Sequence, residues 1–304
     1  MIVTIGEALV DVVGGSPRAG GAPANVAAAL AKLGSPAAFV GALGCDERGD
    51  FVVAALAAAG VELRGIVRLP DVPTRAVFVA VDGSGDRVFT GFEPPAATFA
   101  DTQLSPNDLD ATLIGAAAAL VCGSLSLAAS PSREANGRAT SLAHAAGVRI
   151  VLDVNRRDVF WSDPAQQLAF IRGGPLPVAA IVKASVEEAD WLFGSTDPAT
   201  IRAAQPQLEA VLITDGVRGC RYAVGGSSST QPAFAVSARE TTGAGDAFLA
   251  GFLHSWLGGA TPRDAVRFAS AAGALATLGP GAIEPQPSAE DVRAFLASES
   301  ASTA

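Results

Sequence analysis

The chain has 304 residues, 49% of them apolar and 17% charged, which is enough for a sizeable core and excludes a disordered segment. A formal charge of −9 excludes recognition of a nucleic-acid backbone or an anionic bilayer by whole-molecule electrostatics, and no uncharged apolar run approaches the roughly 20 residues of a membrane span. No basic segment precedes the first apolar run, and Cys45, Cys122 and Cys220 form no CxxC pair, so the expectation is a cytoplasmic protein with structural thiols.

In chain order, "MIVTIGEAL" predicts a strand, "APANVAAALAKLG" a helix closed by Gly34, "AAFVGALG" a strand and "DFVVAALAAAG" a helix closed by Gly60. From Val61 to Phe92 the rhythm breaks into two or three strands around the turn signal "DGSGD", with no helix between them. That stretch predicts a small antiparallel insertion over residues 65–92 in a large domain of residues 1–64 and 93–304. Next come the strand "AALVCGSL", the helix "EANGRATSLAHAAG", the strands "VRIVLDVN" and "AAIVKAS", the helix "VEEADWLFG" and the strand "AVLITDG". "VGGSSSTQ" reads as a turn only, and two long helical patterns, "GAGDAFLAGFLHSWLGG" and "TPRDAVRFASAAGALATLG", finish the chain. Strands apolar on both faces and separated by helices predict a three-layer α/β fold with a mainly parallel central sheet.

Ligands of such sheets bind beyond the carboxyl ends of the strands. Glu7 and Asp11, Gly41 to Asp46, Gly123, Asp153 and Asn155, Lys183 and Ser185, and Thr214 to Gly216 all fall there. One stretch carries more specific chemistry. Phe248, Leu249, Phe252, Leu253 and Trp256 recur at helical spacing, which puts "TGAGD" in the first turn, where backbone N–H groups lack intrahelical partners. Gly243 and Gly245 let those groups converge on a developing negative charge, and Asp246 beside them can accept a proton. A base next to an anion cradle suits phosphoryl transfer onto a hydroxyl. A plain glycine-rich capping turn is the bland alternative. There is no GxxxxGK[ST] and no GxGxxG after the first strand, which counts against a P-loop enzyme and a nucleotide-dependent dehydrogenase.

"TTGAGDAFLAGFL" resembles the C-terminal signature of the ribokinase-like (PfkB) carbohydrate kinases, and "GGAPANVAAALAKLG" with "AFVGALGCDERG" resembles their N-terminal one, in the family's order from about Ile2 to Pro287. The resemblance implies a ribokinase-like fold with a small β lid and an ATP-dependent sugar kinase using Mg2+. It implies that Asp246 is the base, Gly243, Ala244 and Gly245 the anion hole, and Asp11, Gly20, Gly21 and Asn25 the holders of sugar hydroxyls. "LDVNRRDVFW" resembles the fructokinase version of the mid-chain strand end, with Asp153, Asn155 for substrate and Arg157 to offset phosphate charge. "KASVEEADWL" matches the segment that often reads Asn-x-x-Glu, which implies that Glu188 bears on magnesium through water, with Ser185 in place of Asn and Lys183 within reach of phosphates. "ITDGVRGCRY" resembles the adenine-nucleotide strand and turn, through Thr214, Gly216 and Gly219. Many relatives bind a monovalent cation beside an Asp just before "TTGAGD"; Glu240 stands there, a longer carboxylate that either reaches K+ or crowds it out.

Only eight residues, "VVGGSPRA", separate Asp11 from Gly20, where relatives usually place a lid hairpin, so the expected lid is reduced and the protein a monomer or homodimer. Fructose is the first expected acceptor. A 2-keto-3-deoxygluconate kinase, for which Arg75 could meet the substrate carboxylate, is the alternative, followed by ribokinase or nucleoside kinase. The non-kinase alternative is a catalytically silent sugar-binding protein.

Overall fold

The computed structural model describes residues 1–81, 87–93, 98–161 and 163–302. Its strands are β1 (Ile2–Ile5), β2 (Leu9–Val13), β3 (Ser16–Gly20), β4 (Ala37–Gly44), β5 (Glu62–Leu69), β6 (Ala76–Val81), β7 (Arg87–Glu93), β8 (Ala119–Gly123), β9 (Arg149–Asp153), β10 (Ala179–Ser185), β11 (Ala210–Thr214), β12 (Cys220–Val224) and β13 (Ser227–Gln231). Its α-helices are α1 (Ala22–Lys32), α2 (Glu47–Ala58), α3 (Ala111–Gly115), α4 (Ser132–Ala145), α5 (Pro164–Gly173), α6 (Val186–Phe193), α7 (Pro198–Ala204), α8 (Ala244–Leu257), α9 (Pro262–Ala276) and α10 (Ala289–Ser302).

Among the described residues, nine strands form one sheet in the order β13-β12-β11-β10-β9-β8-β1-β4-β5, all parallel except β12, which pairs antiparallel with β11 and β13. Successive side chains of a strand point to opposite faces, and both faces here are apolar. Leu120, Ile150, Val182 and Ile213 pack on the side of α4, α5 and α6, while their neighbours Val121, Val151, Ile181 and Leu212 pack on the side of α1, α8 and α9. The alternation buries each central strand twice, which is why these segments read as unbroken apolar runs. A second sheet of four strands, in the order β3-β2-β6-β7, closes over one end. Val10, Ala19 and Ala76 lie under it in a core shared with Phe39, Leu43, Val52 and Leu56.

The expected 65–92 insertion shifts in two ways. β5 leaves it, pairing parallel with β4 (Ala42 beside Val67) at the edge of the large sheet; its charged Glu62, Arg64 and Arg68 mark an edge strand and hid this βαβ continuation. The short "VVGGSPRA" joins it, because a turn at Gly14 and Gly15, both with positive φ (57° and 81°), is enough for a two-residue hairpin between β2 and β3. The four-stranded sheet is thus assembled from β2 and β3 together with β6 and β7. "DGSGD" lies outside the described residues.

Further elements were not expected: α3, α5, α7, β12, β13 and α10. "VGGSSSTQ" turns at Gly225 and Gly226 and then forms β13, an exposed edge strand of Ser and Thr that carries no apolar alternation. The chain also continues into α10, held by fully buried Val292 and by Phe295 set edge-on to Phe234 at 5.3 Å. No described helix is long and apolar enough to cross a membrane.

The two sheets are tied at the carboxyl end of β4. Asp46 caps α2 by accepting from Gly49 N–H at 2.7 Å and takes Thr74 N–H at 2.7 Å, while Thr74 Oγ1 accepts from Gly44 N–H at 2.9 Å. Asp46→Ala is expected to cost about 1–2 kcal/mol, seen as a lower urea midpoint at unchanged m-value. An unmoved midpoint would mean that this junction does not hold the sheets together.

Candidate active site

α1 and α8 pack side by side, and their N-termini converge beyond the carboxyl edge of the large sheet. Each starts on a glycine with positive φ. Gly21 (φ 103°) runs so close to the preceding segment that a Cβ would stand 2.5 Å from Glu7 O, and at Gly243 (φ 77°) a Cβ would stand 2.9 Å from Ala282 Cα. Only glycine meets both demands at these turns. Where the helices meet, Asn25 Nδ2 donates to Asp246 Oδ2 at 2.8 Å, a buried bond between residues 221 apart in sequence.

A cavity of about 520 Å³ opens here, bordered by Asp11, Gly21 and Asn25 on one side and by Gly243, Gly245 and Asp246 on the other. Residues expected to hold sugar and residues expected to carry the chemistry thus share one space. Gly20 lies behind it, against the Asp11 carboxylate. Of the expected anion-hole amides, that of Ala244 closes a turn onto Thr241 O at 3.2 Å.

The floor comes from the strand ends. Lys183 Nζ bonds Asp153 Oδ1 and Oδ2 at 2.9 and 3.2 Å, both side chains being buried, and it lies 3.0 Å from the point where a Cβ on Gly245 would stand. Burial pulls the Lys183 pKa down, but the carboxylates of Asp153, Glu188 and Asp246 outweigh it and leave it raised. Burial pushes Asp153 up to about 6 against the pull of Lys183. Burial also raises Asp246, opposed by Lys183, the Asn25 hydrogen bond and Arg157. Asn155, with the unusual φ of 35°, and Arg157 border the same cavity.

Ser185 and Glu188 form a capping box at the start of α6: Ser185 Oγ accepts from Glu188 N–H at 3.2 Å, and Glu188 Oε2 from Ser185 N–H at 2.8 Å. Glu188 Oε1 takes Arg156 N–H at 2.7 Å, so both carboxylate oxygens are engaged by backbone. Thr214, Gly216 and Gly219 lie beyond the cavity at the end of β11, where Gly219 (φ 93°) packs on the backbone of Gln231 and Ala233. No group of three or more His, Cys, Asp or Glu that could hold a metal ion occurs among the described residues.

The sequence profile of the pfkB family carbohydrate kinases matches residues 2–289. The chain belongs to that family. It is 35% identical to fructokinase-1 of Zea mays, over 96% of each chain. In three dimensions it is similar to a fructokinase from Xylella fastidiosa with bound ATP, with a TM-score of 0.88 at 30% identity over 98% of this chain and 99% of that one. A fructokinase double mutant from Vibrio cholerae O395, solved with fructose, ADP and a potassium ion, gives 0.84 at 31% identity over 97% and 98%.

Three charged groups of this pfkB kinase take places that sequence reasoning did not give them. Arg75, considered for a substrate carboxylate, is spent internally: it is bonded to Asp101 at 3.0 to 3.2 Å and lies 4.3 to 5.0 Å from the ring centres of Phe92, Phe99 and Phe160. Arg18 reaches the cavity from β3, 3.7 Å from Glu240. The signal for it was the Gly14-Gly15 turn, since counting back from a two-residue hairpin sets Arg18 opposite Asp11. Glu7, only a strand-end polar residue in the sequence, is buried at the cavity wall; Oε1 accepts from Ala22 N–H at 3.1 Å and Oε2 has no hydrogen-bond partner among the described residues.

Burial pushes the Glu7 carboxyl up to about 8. A pKa higher in the folded than in the unfolded chain means stability that is complete below the unfolded value, near 4.5, and is lost as pH rises through about 8. Glu7→Gln, which keeps the shape of the neutral acid, is expected to remove part of that loss, so that its unfolding midpoint gains on wild type between pH 5 and 8. A difference that stays constant with pH would show that Glu7 ionises freely in the folded protein.

Proposed function

We propose that this pfkB-family chain, an ATP-dependent carbohydrate kinase, transfers the γ-phosphoryl group to the primary hydroxyl of fructose, with Asp246 as base. The observation that carries this reading is the Asn25–Asp246 hydrogen bond, which places a buried carboxylate at a helix N-terminus inside the cavity that Asp11 and Gly21 also border. Asp246 Oδ2 is engaged by Asn25, so Oδ1 is the oxygen that takes the acceptor's proton. The acceptor oxygen then bonds to the γ-phosphorus as the bond to the β,γ-bridging oxygen breaks and ADP leaves. The backbone of Gly243, Ala244 and Gly245, the positive end of α8, Lys183 and Arg157 meet the charge that spreads over the transferring group.

Asp11, Gly20, Gly21, Asn25 and Asn155 form the acceptor side in this reading. The nucleotide extends from Gly245 past Lys183 and Ser185 along the ends of β10 and β11 to Thr214, Gly216 and Gly219. Both oxygens of Glu188 already accept backbone N–H groups, so its influence on magnesium runs through water rather than direct ligation. Magnesium supplies charge neutralisation of the phosphates. The sheet of β2, β3, β6 and β7 serves as the lid.

Fructose is favoured over an acid sugar on two counts: the relatives named above are fructokinases, and Asp101 neutralises the Arg75 guanidinium that was considered for a substrate carboxylate. An ADP-release assay with MgATP and fructose, 2-keto-3-deoxygluconate, ribose, glucose and adenosine is expected to rank fructose first; another acceptor on top would overturn the substrate. Asp246→Asn is expected to lower kcat by roughly 10²- to 10⁴-fold with ATP binding retained. An active Asp246→Asn enzyme would remove Asp246 from the role of base.

A further inference from the structure

Arg18 faces three carboxylates from three parts of the chain. In the β2–β3 register it stands directly opposite Asp11. Its Nη1 lies 3.7 Å from Glu240 Oε2 and 3.3 Å from the point above Gly281 where a Cβ would stand, a point that also lies 2.5 Å from Glu284 Oε2. Arg18, Asp11, Glu240 and Gly281 all border the main cavity. The Arg18 and Glu240 side chains keep only 24% and 12% of their surface, so water and salt screen the pair poorly.

Glu240 occupies a sensitive position. Its N–H and that of Arg239 donate to Thr277 O at 3.1 and 2.8 Å, which pins the backbone just before the Gly243 turn. A carboxylate fixed there points its charge at the place where phosphate would bind, and something must offset it. In this chain the cations come from within: Arg18 meets Glu240, and Lys32 Nζ donates to the nearby Ile283 O and Glu284 O at 2.8 and 2.9 Å. A carboxylate turned to a guanidinium does not fit a dedicated alkali-metal ligand.

Resting on the kinase reading above, the geometry points to Arg18 as a positioning residue that neutralises Glu240 beside the anion-binding turn, doing there what a bound monovalent cation would otherwise do. Because Arg18 belongs to the lid hairpin and pairs across it with Asp11, the same side chain links the acceptor side of the cavity to the phosphoryl side. Removing it takes the guanidinium away from a poorly screened Glu240 carboxylate, a charge that a small cation can then help to offset.

The test compares initial rates of wild type, Arg18→Ala, Arg18→Lys and the Arg18→Ala/Glu240→Gln double variant in tetramethylammonium chloride and in potassium chloride at equal ionic strength, with thermal melts to confirm folding. Wild-type rates are expected to agree within about twofold between the two salts, whereas Arg18→Ala loses roughly 10- to 100-fold in kcat without potassium and recovers several-fold with it. Arg18→Lys is expected to keep most of the activity in either salt, and Glu240→Gln to rescue Arg18→Ala without potassium. An Arg18→Ala enzyme with unchanged kcat, or a folded one whose defect answers neither to potassium nor to Glu240→Gln, would overturn the role. So would a wild type that is active only with potassium. A folded wild type that phosphorylates no sugar in either salt overturns the kinase reading itself, and the Arg18 role with it; loss confined to the variants does not touch that reading.

Discussion

The hydrogen bond between Asn25 and Asp246 is the constraint around which the molecule is organised. It is short, buried and spans 221 residues, so it forms only when the first and eighth helices start at the same place. Their bodies meet that condition by packing: Val26 and Leu30 share one core with Leu249, Phe252 and Leu253 against the large sheet. Their first turns meet it through Gly21 and Gly243, whose positive φ and close neighbours leave no room for a side chain. Burying a carboxylate costs several kcal/mol unless charge and hydrogen bonds offset the lost water. Here the Asn25 amide, the positive end of α8 and the Lys183 ammonium do so together.

That arrangement also explains why the remaining polar groups sit where they do. A parallel sheet buried on both faces has no place for charge except at its ends, and Asp153 and Lys183 lie at adjacent ends in register with one another. Their bond holds the ammonium under Gly245. Glu188 performs a similar task one turn away, where it fixes the amides of Ser185 and Arg156 and so the path of the segment that leads to Arg157. Arg75 sets the opposite limit. Its guanidinium joins the segment before β6 to Asp101 and the rings of Phe92, Phe99 and Phe160, which makes it part of the scaffold beneath the four-stranded sheet.

The central layers were legible in the sequence because double burial writes itself as unbroken apolar runs such as "AALVCG" and "RIVLD", and Ala-rich helices with closing glycines stand out between them. Edges were not legible. β5 carries Glu62, Arg64 and Arg68, and β13 is Ser and Thr, so neither shows the pattern of a buried strand. In the site, strand-end position and the "TGAGD" turn singled out Asp246, Asp153 and Lys183 as polar groups in the right place. What they touch was another matter. The capping box of Ser185 and Glu188 is a local pattern that could have been read directly, and Arg18 opposite Asp11 follows from the Gly-Gly turn by counting. That Arg75 faces Asp101, and Glu7 the N-terminus of α1, depends on contacts between segments that no local spacing encodes.

The cavity is lined by charges of both signs. Glu7, Asp11, Asp246 and Glu240 face Arg18, Arg157 and Lys183 around it, with Asp153 behind Lys183, in a protein of net charge −9. Glu7, pushed up to about 8, is mostly neutral near pH 7 and adds little to the repulsion of an incoming triphosphate. Asp153 is tied to Lys183, and Asp246 lies in the first turn of α8, directly after Gly243 to Gly245. Burial already raises its pKa, and a phosphoryl group brought against that turn adds negative charge and removes water, so both changes make Asp246 a stronger proton acceptor. In its proposed role as base, Asp246 would gain strength from the group whose transfer it assists, while Lys183 and Asn25 oppose the rise.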